Sequence, residues 1–273
     1  MKIGNLDISS FKVGWADCSI YLGDTKLYPS EEPTPMNIIT YNASAKLSEA
    51  PSEYEGGLHT NAFSGTNGQQ LTMTSHTFEN GAGTIEFDGD IASIGNGAFY
   101  GCSSLANITI PDSVTSIGMF AFNSCGLTSL TILDSITSIG ENALSNCSSL
   151  TSCTIGSGIT SISNYAFDSC GLASVTIPSS VTSIGVEAFR HCRSLTSVTI
   201  GSGVTSIGNM AFRYCTSLAS ITVNATTPPT LGGTTVFDDT NNCPIYVPSA
   251  SVNAYKAANR WSTYASRIQA IPT

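Results

Sequence analysis

The chain has 273 residues, a net charge of −9 and only 11% charged side chains, against about a quarter in an ordinary soluble protein. An acidic chain without a Lys/Arg stripe argues against nucleic acid as a partner, because phosphate binding needs clustered cations. The sequence holds no apolar run of about 18 residues, so no membrane-spanning helix is expected.

Residues 1–90 carry 12 acidic and 4 basic side chains, and residues 91–273 carry 7 and 6. The acidic start reads as a solubilising segment. Within residues 1–28, strand signals at 11–13 and 19–22 flank a turn at Gly23-Asp24, which describes a small β module. Residues 1–15 lack the charged start and apolar core of a secretion signal, so the expectation is either a trimmed leader or folding in the cytoplasm. Residues 29–35, with Pro29, Pro33 and Pro35 around two glutamates, read as a stiff linker. Residues 36–90 are β-rich, with strand signals at 38–41, 70–73 and 84–87, and suit an N-terminal cap.

Residues 91–223 repeat themselves. Ile-Gly-x-x-Ala-Phe recurs six times, with alanines at Ala98, Ala121, Ala143, Ala166, Ala188 and Ala211, spaced 23, 22, 23, 22 and 23 residues apart. Gly becomes Ser163 in one copy and Phe becomes Leu144 in another. A strand pattern follows each copy, as in Leu172/Val175/Ile177 and Leu195/Val198/Ile200. Alternation puts the last two apolar positions on one face. The Ala-Phe stretch is expected to turn as a short helical segment. One such unit cannot bury its own apolar side, whereas stacked units share a continuous core. The expected fold is therefore an α/β repeat solenoid of six leucine-rich repeats. It carries the β-rich cap before it and a small strand-helix cap, residues 224–273, after it. In that last segment residues 245–247 read as a strand and Ser249 as the cap of a helix over 251–259. Val252 and Tyr255 share one helix face. Trp261, Tyr264 and Ile268 supply bulk, Trp261 reading as cap packing ahead of a ligand platform.

Of nine cysteines, six form a column four residues after each repeat alanine: Cys102, Cys125, Cys147, Cys170, Cys192 and Cys215. Cys153 stands where other repeats place Leu, Val or Ile. No Cys-x-x-Cys spacing points to a metal. Stacked side chains pointing the same way do not suit a disulfide. The column reads as a structural ladder of small buried residues, with Cys18 and Cys243 outside it and free. So much unpaired thiol favours a reducing compartment.

The sequence offers no catalytic constellation. His59, His76 and His191 lie in no metal array. Gly156-Ser157-Gly158 and Gly201-Ser202-Gly203 occupy turns where other repeats carry Pro-x-Ser, so they are not nucleophile elbows. Asp88-Gly89-Asp90 lacks the rest of a calcium loop. Asp112, Asp134 and Asp168 occupy different repeat slots and do not pair. No enzyme activity, cofactor or metal is expected.

The run Ile-Pro-x-Ser-Val-Thr-Ser-Ile-Gly-x-x-Ala-Phe-x-x-Cys over residues 177–192 resembles the BspA-like leucine-rich repeats. So do Tyr246-Val247-Pro248 leading to Ser251, Val252, Ala254, Tyr255, Lys256 and Trp261, and the lead-in over residues 78–89. The likeness covers residues 78–268. It implies adhesion, meaning attachment to a host or microbial surface protein or glycan. Residues 19–28 with Pro29 after them resemble a short N-terminal module of virion proteins in phages of gut bacteria. That likeness implies a protein displayed on a phage particle through contacts of residues 1–28 with other virion proteins. The alternatives are a secreted or cell-surface bacterial adhesin and a virion decoration protein without ligand.

Comparing the six repeats with one another locates a binding edge. The outward strand positions are uniform Ser and Thr, such as Ser174/Thr176 and Ser197/Thr199, and supply few anchors. Variation concentrates on the opposite edge. There Arg190, His191, Arg193, Arg213 and Tyr214 come from adjacent coils and make the candidate patch.

Overall fold

An alternating strand hides one face only, and this chain hides it by coiling. The computed structural model describes residues 37–49 and 57–273, with short backbone strands between residues 2 and 28. The chain divides into residues 1–35 and residues 36–273. In the first unit Lys2–Ile3 pairs with Leu6–Asp7, and Phe11–Val13, Ile20–Leu22 and Thr25–Tyr28 make an antiparallel sheet. Cys18, the Gly23-Asp24 turn and the 29–35 linker lie outside the described residues.

The second unit is a leucine-rich-repeat solenoid, each coil having three sides. On one side a longer strand, such as Ser174–Ile177, pairs in parallel with its successor Ser197–Ile200, Ser over Ser and Thr over Thr. Its Val175 and Ile177 point inward while Ser174 and Thr176 stay exposed. On the second side a two-residue strand, such as Ser183–Ile184, pairs with Ser206–Ile207. The third side is not the helical segment expected. It is a chain of tight turns in which residues on either side of the alanine alternate in handedness. Both the residue before each alanine and the third after it have positive φ, from Gly97 (64°) and Gly101 (67°) to Met210 (57°) and Tyr214 (63°). Alternation turns every second N–H outward along the axis, while those between close turns within the coil, as Asp168 N–H does to Tyr165 O at 3.1 Å. Phe167 N–H therefore donates to Ala188 O (2.8 Å) and Phe189 N–H to Ala211 O (2.8 Å) in the next coil. A helix would have spent those donors inside its own coil.

The coils approach so closely that the second side has no room for side chains at its end. A Cβ on Gly208 would lie 2.4 Å from the carbonyl carbon of Gly185. Gly185 N–H and Gly208 N–H donate to Ile162 O and Ile184 O at 2.8 and 2.7 Å. Where Ser163 replaces glycine, its hydroxyl makes the matching bond, to Ile139 O at 2.5 Å. Both sheets are interrupted at this joint, between Ser138–Ile139 and Ser161–Ile162 and between Ser152–Ile155 and Ser174–Ile177.

The core is a set of columns. Phe167, Phe189 and Phe212 stack at 5.0 and 5.2 Å between centroids, within 2° of parallel. Each is fully buried and contributes about 1.5–3 kcal/mol on the usual transfer scale. Leu144 interrupts the column. Beside it runs the cysteine column. Cys170 Sγ donates to Leu144 O at 3.1 Å, Cys192 to Phe167 O at 3.1 Å and Cys215 to Phe189 O at 3.1 Å. The thiol is thus a small apolar filler that also satisfies a carbonyl of the preceding coil. Burial pushes the Cys147 and Cys192 thiols up to about 12. Cys153, at a strand position facing Leu130, is half-buried.

The stack continues past Val223. Thr230–Leu231 pairs with Ser206–Ile207, Ile245–Val247 pairs with Ser220–Val223, and Phe237 extends the aromatic column at 5.7 Å from Phe212. Residues 224–247 are therefore a seventh coil, with Val236-Phe237 in place of Ala-Phe. Both ends are closed by polar groups as well as apolar ones. At the start, Gly57 and His59 N–H groups reach Tyr100 O and Ala98 O at 2.8 and 2.9 Å, and Phe63 meets Phe99 edge-on. The sheet of Ile38–Ala43, Met73–Glu79 and Ala82–Phe87 covers Leu105–Thr109. Its outer strand begins at Met73, and the expected strand at 70–73 is reduced to a single bridge at Gln70. At the end, the Tyr264 hydroxyl accepts from Phe237 N–H (3.1 Å) and donates to Thr234 O (2.5 Å). Trp261, fully buried, donates its indole N–H to Pro229 O (2.7 Å). The helix is Val252–Ala257, shorter than expected. Ser249 does not cap it. Ser251 holds that position and sends its hydroxyl to Thr226 O (2.7 Å).

Two predictions test the columns. Gly208→Ala should destabilise the chain by about 1–3 kcal/mol through backbone overlap and Phe189→Ala by about 3–5 kcal/mol. Phe189→Leu should cost less than half as much as Phe189→Ala, since Leu144 already fills such a slot; chemical denaturation reads all three. Iodoacetamide at pH 8 should leave Cys170, Cys192 and Cys215 unlabelled in the native chain and label them in denaturant, read by peptide mass.

Candidate functional site

Among the described residues of the repeat coils, the turn side presents large, varied side chains to solvent. Its two left-handed columns are positions where Gly and Asn fit at least cost, and Gly97, Gly101, Asn142 and Asn146 follow that rule. Phe120, Tyr165, Glu187, Met210, His191 and Tyr214 break it, with φ between 55° and 63°. Met119, Phe120 and Val186 on this side are the large apolar side chains that stand exposed among the described residues.

Four of the five expected patch residues meet here. The rings of His191 and Tyr214 stack at 4.7 Å and 9°, because they hold the same left-handed position in successive coils. Arg213 lays its guanidinium over the Tyr214 ring, 4.5 Å from the centroid, and its Nε stands 3.6 Å from Asp239 Oδ2. Arg190 pairs with Glu187 three residues before it, which favours its charged form. Arg193 is exposed beyond the cysteine column and enters none of these contacts, though its charge reaches His191.

Asp168 was expected to stand apart. Instead it lies one coil before Arg190, in the same column. Ser169 Oγ donates to its Oδ2 at 3.2 Å. Burial pushes the Asp168 carboxyl above its usual range, while burial and the Arg190 charge push His191 below its own. Asp168 Oδ1, Arg190 Nε and His191 Nδ1 are shielded from solvent without a hydrogen-bond partner among the described residues. Asp168 and Arg190 hold the same place in successive repeats, a spacing legible in the sequence; the burial that sets the Asp168 carboxyl beside the Arg190 charge is not.

Other expected features take ordinary places. Asp134 Oδ1 accepts from Ser157 N–H (2.6 Å) and Oγ (3.0 Å), which holds its carboxyl below the usual range and makes that Gly-Ser-Gly a coil-to-coil turn. His76 Nε2 bonds Tyr41 Oη at 2.8 Å in the first cap. Among the described residues no three His, Cys, Asp or Glu side chains converge as a metal site would require. A cleft of about 640 Å³ lies beyond Asp239, lined by Asp238, Asn242, Tyr264 and Arg267. Its Arg267 is committed to Cys243 O, Phe237 O and the Thr240 hydroxyl at 2.8–3.0 Å.

The fold and its columns define a leucine-rich-repeat protein. The family described as BspA type leucine rich repeat region (6 copies) matches residues 71–196 and 182–261, and the chain belongs to that family. Among solved structures, a leucine-rich repeat protein of T. pallidum is 27% identical with a TM-score of 0.43, over 50% of this chain and 63% of that one. A leucine rich cell surface protein of Faecalibacterium prausnitzii is 27% identical with a TM-score of 0.33, over 64% and 60%. A leucine-rich repeat protein of Bacteroides ovatus is 15% identical with a TM-score of 0.26, over 84% and 99%. This chain spans about three fifths of the length of the first two. No curated protein sequence matches it.

One prediction follows from the half-buried Asp168 carboxylate. A folded-state pKa above the unfolded value means stability that is present at low pH and is lost as pH rises through the raised value. Asp168→Asn should therefore raise the melting temperature at pH 7 and lose that advantage below the ordinary carboxylate range, measured by thermal unfolding across pH.

Proposed function

We propose that this chain is a non-enzymatic recognition protein that attaches to a host or microbial surface through the turn edge of its last repeats. The carrying observation is the cluster of Arg190, His191, Arg213 and Tyr214, in which two rings and a guanidinium stack on the turn edge and His191 and Tyr214 hold left-handed positions unfavourable to large side chains. Tyr and Arg are the side chains that dominate binding energies at interfaces. Membership of the BspA family, whose resemblance implies adhesion, supports the same reading.

Display is on a phage particle, with residues 1–28 contacting other virion proteins. The likeness of residues 19–29 to virion modules supports this. The column of free buried thiols also suits folding in a reducing cytoplasm before release. A secreted or cell-surface bacterial adhesin is the second reading, favoured by the family itself, and it uses the same edge. Antibody labelling of purified particles against whole cells separates the two.

The site is tested with the full chain on a panel of bacterial cells and immobilised host matrix proteins. Replacing Arg190, Arg193 and Tyr214 together by alanine should weaken attachment at least about tenfold, the loss expected for a central cluster. Attachment unchanged by the triple substitution overturns the assignment of the edge.

A further inference from the structure

Past the sixth repeat the turn edge ends in a cleft. In the six repeats the column cysteine follows the repeat alanine by four residues, whereas Cys243 follows Val236 by seven. The loop is wider by the difference, and Asn241 and Asn242 turn it through left-handed positions (φ 55° and 49°) that Asn tolerates. Between this loop and the C-terminal cap lies the cleft of about 640 Å³, within the usual range of small-ligand sites, about 300–1,000 Å³. It continues the edge, since Tyr214 N–H donates to Asp238 O at 3.2 Å and Arg213 Nε stands 3.6 Å from Asp239 Oδ2. Solvent reaches its lining. Asp239, Asn242, Thr263, Ser266 and Gln269 are exposed. Asp238 sets one oxygen 3.2 Å from the Tyr264 hydroxyl and keeps the other unpaired among the described residues and open to solvent.

We propose that this cleft, at the end of the turn edge, binds a neutral saccharide. The inference rests on the recognition reading above and names its ligand. The aromatic rings that line the cleft, Phe237 and Tyr264, are buried, which leaves little apolar wall for an apolar ligand. Charge decides among polar ones. Two carboxylates and the net charge of −9 oppose an anion. Arg267 would be the natural anion receptor, but it gives N–H bonds to Phe237 O, Cys243 O, Cys243 Sγ and the Thr240 hydroxyl. What remains of its five donors is too little for the paired contact that a carboxylate or sulfate makes with arginine. A cation meets the guanidinium of Arg267 in the cleft and that of Arg213 against Asp239. A hydroxyl both donates and accepts. Neighbouring hydroxyls of a sugar can therefore donate to Asp238 and Asp239 and accept from the amides of Asn242 and Gln269.

The test uses the full chain on a printed array of neutral, sialylated and sulfated oligosaccharides, beside the cell panel. Neutral glycans should bind, and sialylated or sulfated ones should not. Ser266→Trp should abolish that binding by filling the cleft. Ser266 is exposed, so thermal unfolding of this variant should match the parent chain. Asp238→Asn, a change without added bulk, should weaken binding about ten- to hundredfold, the loss of one charge-assisted hydrogen bond. An array silent for neutral glycans, a preference for the charged ones, or neutral binding that survives both substitutions overturns the proposal. Cell attachment that persists beside a silent array, and falls on replacing Arg190, Arg193 and Tyr214, leaves the recognition reading standing on a partner of another kind. Silence on array and cells alike removes both.

Discussion

Everything in the repeat body depends on how closely one coil lies on the next. The spacing of 5.0–5.2 Å between stacked phenylalanines is the spacing of backbones, since strands pair in parallel on two sides and turns pair on the third. That distance leaves no freedom at several positions. It demands glycine where backbone meets backbone at Gly185 and Gly208. It demands a small residue with a donor where cysteine reaches a carbonyl of the coil before it. It also explains the low charge of the chain. Thr182 and Thr205 hydroxyls donate to carbonyls of the preceding coil at 3.1 and 3.0 Å, so the surface is satisfied by short polar side chains in register.

Features set by the period were legible in the amino-acid sequence, and features set by backbone handedness were not. The alanine, phenylalanine and cysteine columns announce themselves at 22 and 23 residues, and their burial follows from stacking. The turn side was misread as helical because Ile-Gly-x-x-Ala-Phe has the apolar spacing of a helical turn. The contrary signal was present: glycine and asparagine at 97, 101, 142 and 146 mark two left-handed columns. The seventh coil escaped notice because one extra residue separates Leu231-Gly232 from Val236-Phe237 and valine replaces the alanine. Of the site, the arginines, His191 and Tyr214 were visible as departures from the repeat. Asp168 stood in the same varied column, but its burial beside the Arg190 charge follows only from the stacking of the turns.

The same handedness shapes the candidate site. On the strand sides, large side chains would have to alternate in and out, and the outward row is short Ser and Thr. On the turn side the outward positions are left-handed, unfavourable for bulky residues, and yet six of them carry bulky or charged ones. A local rule broken repeatedly on one side of a regular structure marks that side as serving something other than folding. The stacked columns then do for a ligand what they do for the core: they hold each side chain by its neighbour, so His191 is presented by Tyr214 and Tyr214 by Arg213.

Ser163 has a structural consequence. Its side chain sits at the one joint where both sheets are interrupted, while the turn bonds across that joint, from Leu144 N–H to Ala166 O and Asn146 N–H to Asp168 O at 2.9 and 2.8 Å, persist. On the other two sides the joint keeps isolated bonds, such as Ser163 Oγ to Ile139 O (2.5 Å) and Ala173 N–H to Thr151 O (3.1 Å), where neighbouring coils pair strand on strand. The stack is thus continuous along the turn edge and reduced on the two strand sides at the coil that carries Asp168.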